Sequence, residues 1–267
     1  MLKDITVGQY FPTGSIIHKL DPRIKIMTVF IFIVFLFIIN TFLGYGLVLL
    51  WIILITYLSK IPLKVIFKGL KPLRWIILIT FIINVLFTTG TPLFSIGPVG
   101  VSKEGVILAL RMAIRLVLLV MGTSLLTLTT SPVSLTDGIE GLLKPFKKIG
   151  FPAHELAMMI TIALRFIPTL IDETDKIIKA QKARGADFES GNIINRAKNM
   201  VPLIVPLLLS SINRADELSV AMEARCYRGG DGRTRMKEIN FSTKDYVAST
   251  IIVIYLGVIV AMRWVGI

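Results

Sequence analysis

Ile26 to Ser59 reads IMTVFIFIVFLFIINTFLGYGLVLLWIILITYLS, a run without one charged side chain. As a single helix it would measure about 50 Å at ~1.5 Å per residue, too long for one crossing of a ~30 Å hydrocarbon core. Asn40, Gly44 and Gly46 interrupt it, so it reads as two helices joined by a tight turn. Three further uncharged runs follow, from Trp75 to Ser102, Leu116 to Thr136 and Tyr246 to Met262. The first holds a helix from Trp75 to about Thr89 and then a Gly/Pro loop, GTPLFSIGPVG, from Gly90 to Gly100. Gly105 to Thr130 makes a fourth helix and Tyr246 to Trp264 a fifth. With 54% hydrophobic residues in 267, the expected class is an all-α polytopic membrane protein.

Charge placement orients it. Residues 1 to 25 carry four Lys or Arg, Lys60 to Arg74 carry five, and 131 to 237 carry sixteen. The alternate connections carry none around Asn40 to Gly46, one at Lys103, and Arg263 at the C-terminal end. Basic residues in every second loop match the positive-inside rule. The expected topology is therefore a cytoplasmic N-terminal segment (1–25), a four-helix transmembrane region (26–130), a cytoplasmic segment (131–237) and a C-terminal crossing (246–264). The first 25 residues lack the apolar core of a secretory signal. A cell-membrane location follows, with anionic lipid as the natural contact of the basic excess. No basic stripe with interleaved aromatics points to nucleic acid. The single cysteine, Cys226, and the distant His18 and His154 give no metal-ligand spacing.

The cytoplasmic segment reads as long helices. A short one runs from Ser134 to Lys148, broken by Gly150-Phe151-Pro152. Another starts at Pro152, passes Pro168 and ends at Ala183 or Arg184, where Gly185 supplies a left-handed cap. After ADFESG (186–191), a third runs from about Asn192 to Arg225, with Pro202 and Pro206 as kink or restart points. Their first halves, LAMMITIALRFIPTLI and VPLIVPLLLSSI, are apolar nearly all round and call for burial. A competing topology makes one or both of these halves span the bilayer.

Their second halves repeat. Ile171, Asp175, Ala180, Ala183 and Arg184 recur 41 positions later as Ile212, Asp216, Ala221, Ala224 and Arg225. Each terminal Arg lies seven residues, about two turns, beyond an apolar position, Ile177 or Leu218, and so continues the apolar stripe. A cation in a last turn also favours the helix macrodipole by about 0.3–1 kcal/mol, which accounts for one such Arg. It does not account for the recurrence or for the Ala before each. Docking of both guanidinium forks on carboxylates of a two-lobed partner accounts for both.

Absences narrow the mechanism. The chain has no Gly-Lys-Ser/Thr phosphate loop, so nucleotide hydrolysis belongs elsewhere, and no nucleophile, base or metal constellation marks an enzyme. No Asp or Glu falls within the five expected crossings, against the habit of ion-coupled carriers. A self-contained secondary transporter remains the alternative. Arg111 and Arg115 do lie in the fourth helix at i and i+4, roughly opposite a small-residue stripe of Gly105, Ala109 and Ala113. Two cations at that depth call for internal partners, snorkelling or contact with a second membrane protein.

Three features together carry a resemblance: HKLDPRIK (His18 to Lys25), TSLLTLTTSP (Thr123 to Pro132) and the paired tips Ala183-Arg184-Gly185 and Ala224-Arg225-Cys226. The chain resembles the T component of energy-coupling-factor transporters over nearly its whole length. The resemblance implies a non-catalytic scaffold that joins two ABC-type ATPases to a membrane-embedded substrate-binding S component for vitamins or related micronutrients. It implies that ATP and Mg are bound by the ATPases and that each Arg tip enters a groove of one of them. It also implies no cofactor in this chain. Cys226 departs from the Gly often found at that place in the family, which puts the end of the second tip in question.

Overall fold

A computed structural model describes residues 10–96, 99–186, 188, 192–229 and 241–264. It shows an all-α membrane protein with one small hairpin. The helices are α1 (Pro22–Ile38), α2 (Phe42–Ser59), α3 (Leu63–Leu70), α4 (Arg74–Phe87), α5 (Lys103–Thr129), α6 (Pro132–Leu143), α7 (Ala153–Ala183), α8 (Ile193–Asn199), α9 (Val201–Ala224) and α10 (Thr243–Trp264). Short 3-10 turns join α3 to α4 and follow α6. Two compact units form, one within Gln9–Gly141 and Glu238–Ile267, the other within Leu142–Lys237. By length and composition, Phe42–Ser59, Leu63–Phe87, Lys103–Thr129 and Ala153–Ala183 can each cross a membrane.

In the first unit α5 is the central post. It packs against α1, α2, α3 and α4, and its Leu118, Met121, Leu125 and Leu128 meet Leu36, Val48, Ile52 and Ile66 in the buried core. The small-residue stripe of α5 lets α4 come close. Gly105 is buried, a Cβ there would sit 3.1 Å from the Asn84 carbonyl, and Ala109 is fully buried. Arg115, on the same helix, reaches the α1–α2 turn. Its Nη2 lies 2.9 Å from the Ile39 carbonyl, 3.1 Å from Asn40 Oδ1 and 3.0 Å from the Tyr45 hydroxyl. The turn thus gains donors where few others exist. Arg111 lies over the Phe42 ring, 5.4 Å from its centroid.

The segment ahead of α1, together with Lys25 in the first turn of α1, closes the opposite ends of these helices. A helix leaves its last four carbonyls without intrahelical donors. Here the Phe11 N–H donates to Leu128 O at 3.0 Å, and Lys25 Nζ donates to Thr129 O at 3.0 Å and His18 O at 3.1 Å. Thr13 Oγ1 donates to Ser59 O at 2.6 Å, serving the end of α2 in the same way. Asp21 caps α1 by accepting the Arg23 N–H, with Pro22 in the first turn. The Asp21 N–H in turn donates to Asp245 Oδ1 at 2.8 Å, fastening the start of α10. HKLDPRIK is therefore an architectural joint.

One expectation shifts, and the choice between kink and restart at Pro202 is resolved as a restart. The Gly/Pro stretch after α4 is not a plain loop: Pro92–Ile96 pairs antiparallel with Val99–Ser102. The helix expected from Asn192 to Arg225 divides at Met200, because Pro202 suits a first turn and starts α9, while Pro206 is carried inside it.

Candidate partner-docking site

The second unit is organised by α7 and α9, which pack antiparallel. Gln181 Nε2, near the end of α7, donates to Pro202 O at the start of α9 (3.3 Å). Two turns back along α7, Ser210 Oγ donates to Glu173 Oε1 at 2.5 Å and Arg214 Nη2 to Glu173 Oε2 at 2.7 Å. Glu173 and Arg214 are 41 positions apart, the spacing of the repeat, and so are equivalent residues of its two halves. Contact between equivalent residues is the signature of a local two-fold relation. Eleven residues separate Glu173 from Arg184 and eleven separate Arg214 from Arg225. At ~1.5 Å per residue each Arg stands about 16 Å from the crossing, at opposite ends.

Equivalence at the crossing predicts an exchange. Glu173→Arg or Arg214→Glu alone places like charges face to face and should lower the unfolding temperature. The double exchange rebuilds the pair with its members reversed and should recover most of that loss, measured on the intact chain in detergent.

Both tips end in the same backbone motif. After Ala183, the Gly185 N–H donates to Lys182 O (3.0 Å) and the Ala186 N–H to Gln181 O (3.0 Å), with Gly185 at φ +88°. After Ala224, the Cys226 N–H donates to Glu223 O (2.8 Å) and the Tyr227 N–H to Met222 O (3.0 Å), with Cys226 at φ +55°. This double closure with a left-handed residue defines a Schellman stop. Glycine adopts that conformation freely, whereas a residue with a Cβ carries a cost of about 1–2 kcal/mol. Cys226 therefore forms the helix end that glycine would form, at a small penalty. Arg184 and Arg225 are exposed, and among the described residues neither guanidinium has a hydrogen bond or ion pair. Toward its start, at the end away from Arg225, α9 exposes Ile204, Val205, Leu208 and Leu209, an apolar face that runs up to the crossing.

Residues 13–236 match the model of the family described as cobalt transport protein, CbiQ. The chain belongs to this family. Its curated relatives include the energy-coupling factor transporter transmembrane protein EcfT of Clostridium kluyveri, 58% identical over 99% of both chains. The protein of the same name from Ruminiclostridium cellulolyticum is 52% identical over 99% of both chains. That of Bacillus subtilis is 46% identical over 98% of both. The chain is accordingly a transmembrane component of an energy-coupling factor transporter, and the apolar helices place it in a membrane.

The six tip residues fall into two local groups, Ala183-Arg184-Gly185 and Ala224-Arg225-Cys226, at the far ends of two crossed rods. Arg111 and Arg115 belong to the other unit, where Arg115 is engaged by the α1–α2 turn. The Glu173–Arg214 crossing was not singled out from sequence. Its signal was there, since the two positions share a register in the repeat and bear opposite charges.

Proposed function

We propose that this chain is the scaffold through which two ABC-type ATPases drive substrate uptake by a membrane-embedded S component. The observation that carries the reading is the pair of exposed Arg tips, closed by one motif and set at equal distances from a crossing of equivalent residues. A pseudo-symmetric ATPase pair offers two like sockets, and each Arg would enter one, its planar fork meeting carboxylates bidentately. Closing of the ATPases on nucleotide would then move both ends of α7 and α9 together. The exposed apolar face of α9 is suited to slide against an equally apolar S component, so motion would pass onward without breaking polar contacts. ATP and Mg would be held by the ATPases, and the chain's own part would be mechanical. The N-terminal segment would lie on the cytoplasmic side of the cell membrane, with the basic connections.

Vesicle reconstitution tests this reading against a self-contained carrier. Vesicles holding the chain alone should take up no vitamin, and those holding it with two ATPases and an S component should do so only with ATP inside the ATPase compartment. Uptake by the chain alone would establish the carrier instead.

A further inference from the structure

α10 is fastened to its unit at two places. Near its start, the Asp245 carboxylate accepts the N–H groups of Asp21 and Ser242, both at 2.8 Å. Ten residues on, Tyr255 stacks on Trp51 of α2, with ring centroids 4.4 Å apart and planes 12° apart, and Ile259 joins the buried core. Between the fastenings Val247, Ala248 and Ile251 do not close on α1 and α2. They leave a groove of about 500 Å³ bounded by α1, α2, α5 and α10. Interiors rarely leave voids larger than a water molecule, and this volume falls in the range of small-molecule sites, ~300–1,000 Å³.

Most of the lining is hydrocarbon, including Phe32, Ile55 and Leu125, which offers water no partners. Lys25, Thr129, Thr243 and Lys244 also border it, almost wholly through their apolar parts. Two carbonyls occupy two of the three donors on Lys25. Lys244 is exposed and forms no ion pair among the described residues. Exposed Leu54, Leu58 and Ile251 edge the groove, so its mouth is greasy. We propose that this groove holds an acyl chain of an anionic glycerophospholipid whose phosphate lies against Lys244. A membrane-spanning partner helix would need a trough for about 20 residues, and here only ten separate the fastenings at Asp245 and Tyr255. An amphiphile with a negative head and a slender tail matches an apolar slot with the exposed Lys244 ammonium at its rim. Such a lipid would wedge α10 against the bundle. Neither Arg tip is involved.

The test is native mass spectrometry of the full chain released from vesicles of equal phosphatidylglycerol and phosphatidylcholine. One phosphatidylglycerol should survive detergent release. Ala248→Phe, which fills the slot, should remove it, and Lys244→Glu should lower the preference for phosphatidylglycerol over phosphatidylcholine about fivefold or more. Should Ala248→Phe fold poorly, Lys244→Glu alone decides the matter, since Lys244 is exposed. An intact chain that retains no lipid, equal retention by Ala248→Phe, or an unchanged preference in Lys244→Glu would each overturn the proposal. So would a cysteine placed at 248 that cross-links to a partner's membrane helix in the assembled complex.

Discussion

Reversing both tip charges, Arg184→Glu with Arg225→Glu, is expected to strip the ATPase subunits from the complex and abolish uptake while the chain still inserts. Breaking one buried, hydrogen-bonded charge pair at an interface costs about 2–5 kcal/mol. Taking the lower figure for each tip gives roughly a thousandfold loss of affinity for the double variant and about thirtyfold for either single one. The loss should not come from unfolding, because the helix stops are made by backbone groups and both side chains are exposed. Co-purification of the ATPases with a tagged chain reads the first effect, and the unfolding temperature of the chain alone reads the second. ATPases that still co-purify with the double variant in normal ratio would remove the basis of the proposed function.

The second large effect is structural. Lys25→Leu should destabilise the first unit by about 3 kcal/mol, since each hydrogen bond to a charged group contributes ~1.5–3 kcal/mol and two are lost. Thr129 O belongs to the end of α5 and His18 O to the turn before α1, so neither has an obvious substitute donor. The same change removes the positive charge that interacts electrostatically with buried Asp21 and Asp245. Thermal unfolding in detergent should show a drop of several degrees (~4–8 °C per kcal/mol in small domains, less in larger ones). An unchanged midpoint would show that the N-terminal joint contributes little.

The helices were legible because hydrocarbon runs without charge have few folded forms in a membrane, and the turn at Ile39 to Thr41 follows from the length of the first run. The tips were legible too, since a repeat with glycine-like stops leaves its mark on spacing alone. Three things were not. The hairpin at 92–102 is short and apolar on both arms, so periodicity could not separate it from loop. Arg115 finds its acceptors some 75 positions away, beyond any local pattern. Lys25 looked like one more basic residue of the positive-inside pattern, and only the packed ends of α5 and α10 show it buried.

The crossing of α7 and α9 resembles the rivet of a pair of scissors. With eleven residues from Glu173 to Arg184 and eleven from Arg214 to Arg225, the two tips would sweep equal arcs for any given opening. Leverage cannot then favour one end over the other. If the tips engage two motors as proposed, any preference between them would be written in the few residues at each extremity, where one helix closes on glycine and the other on cysteine.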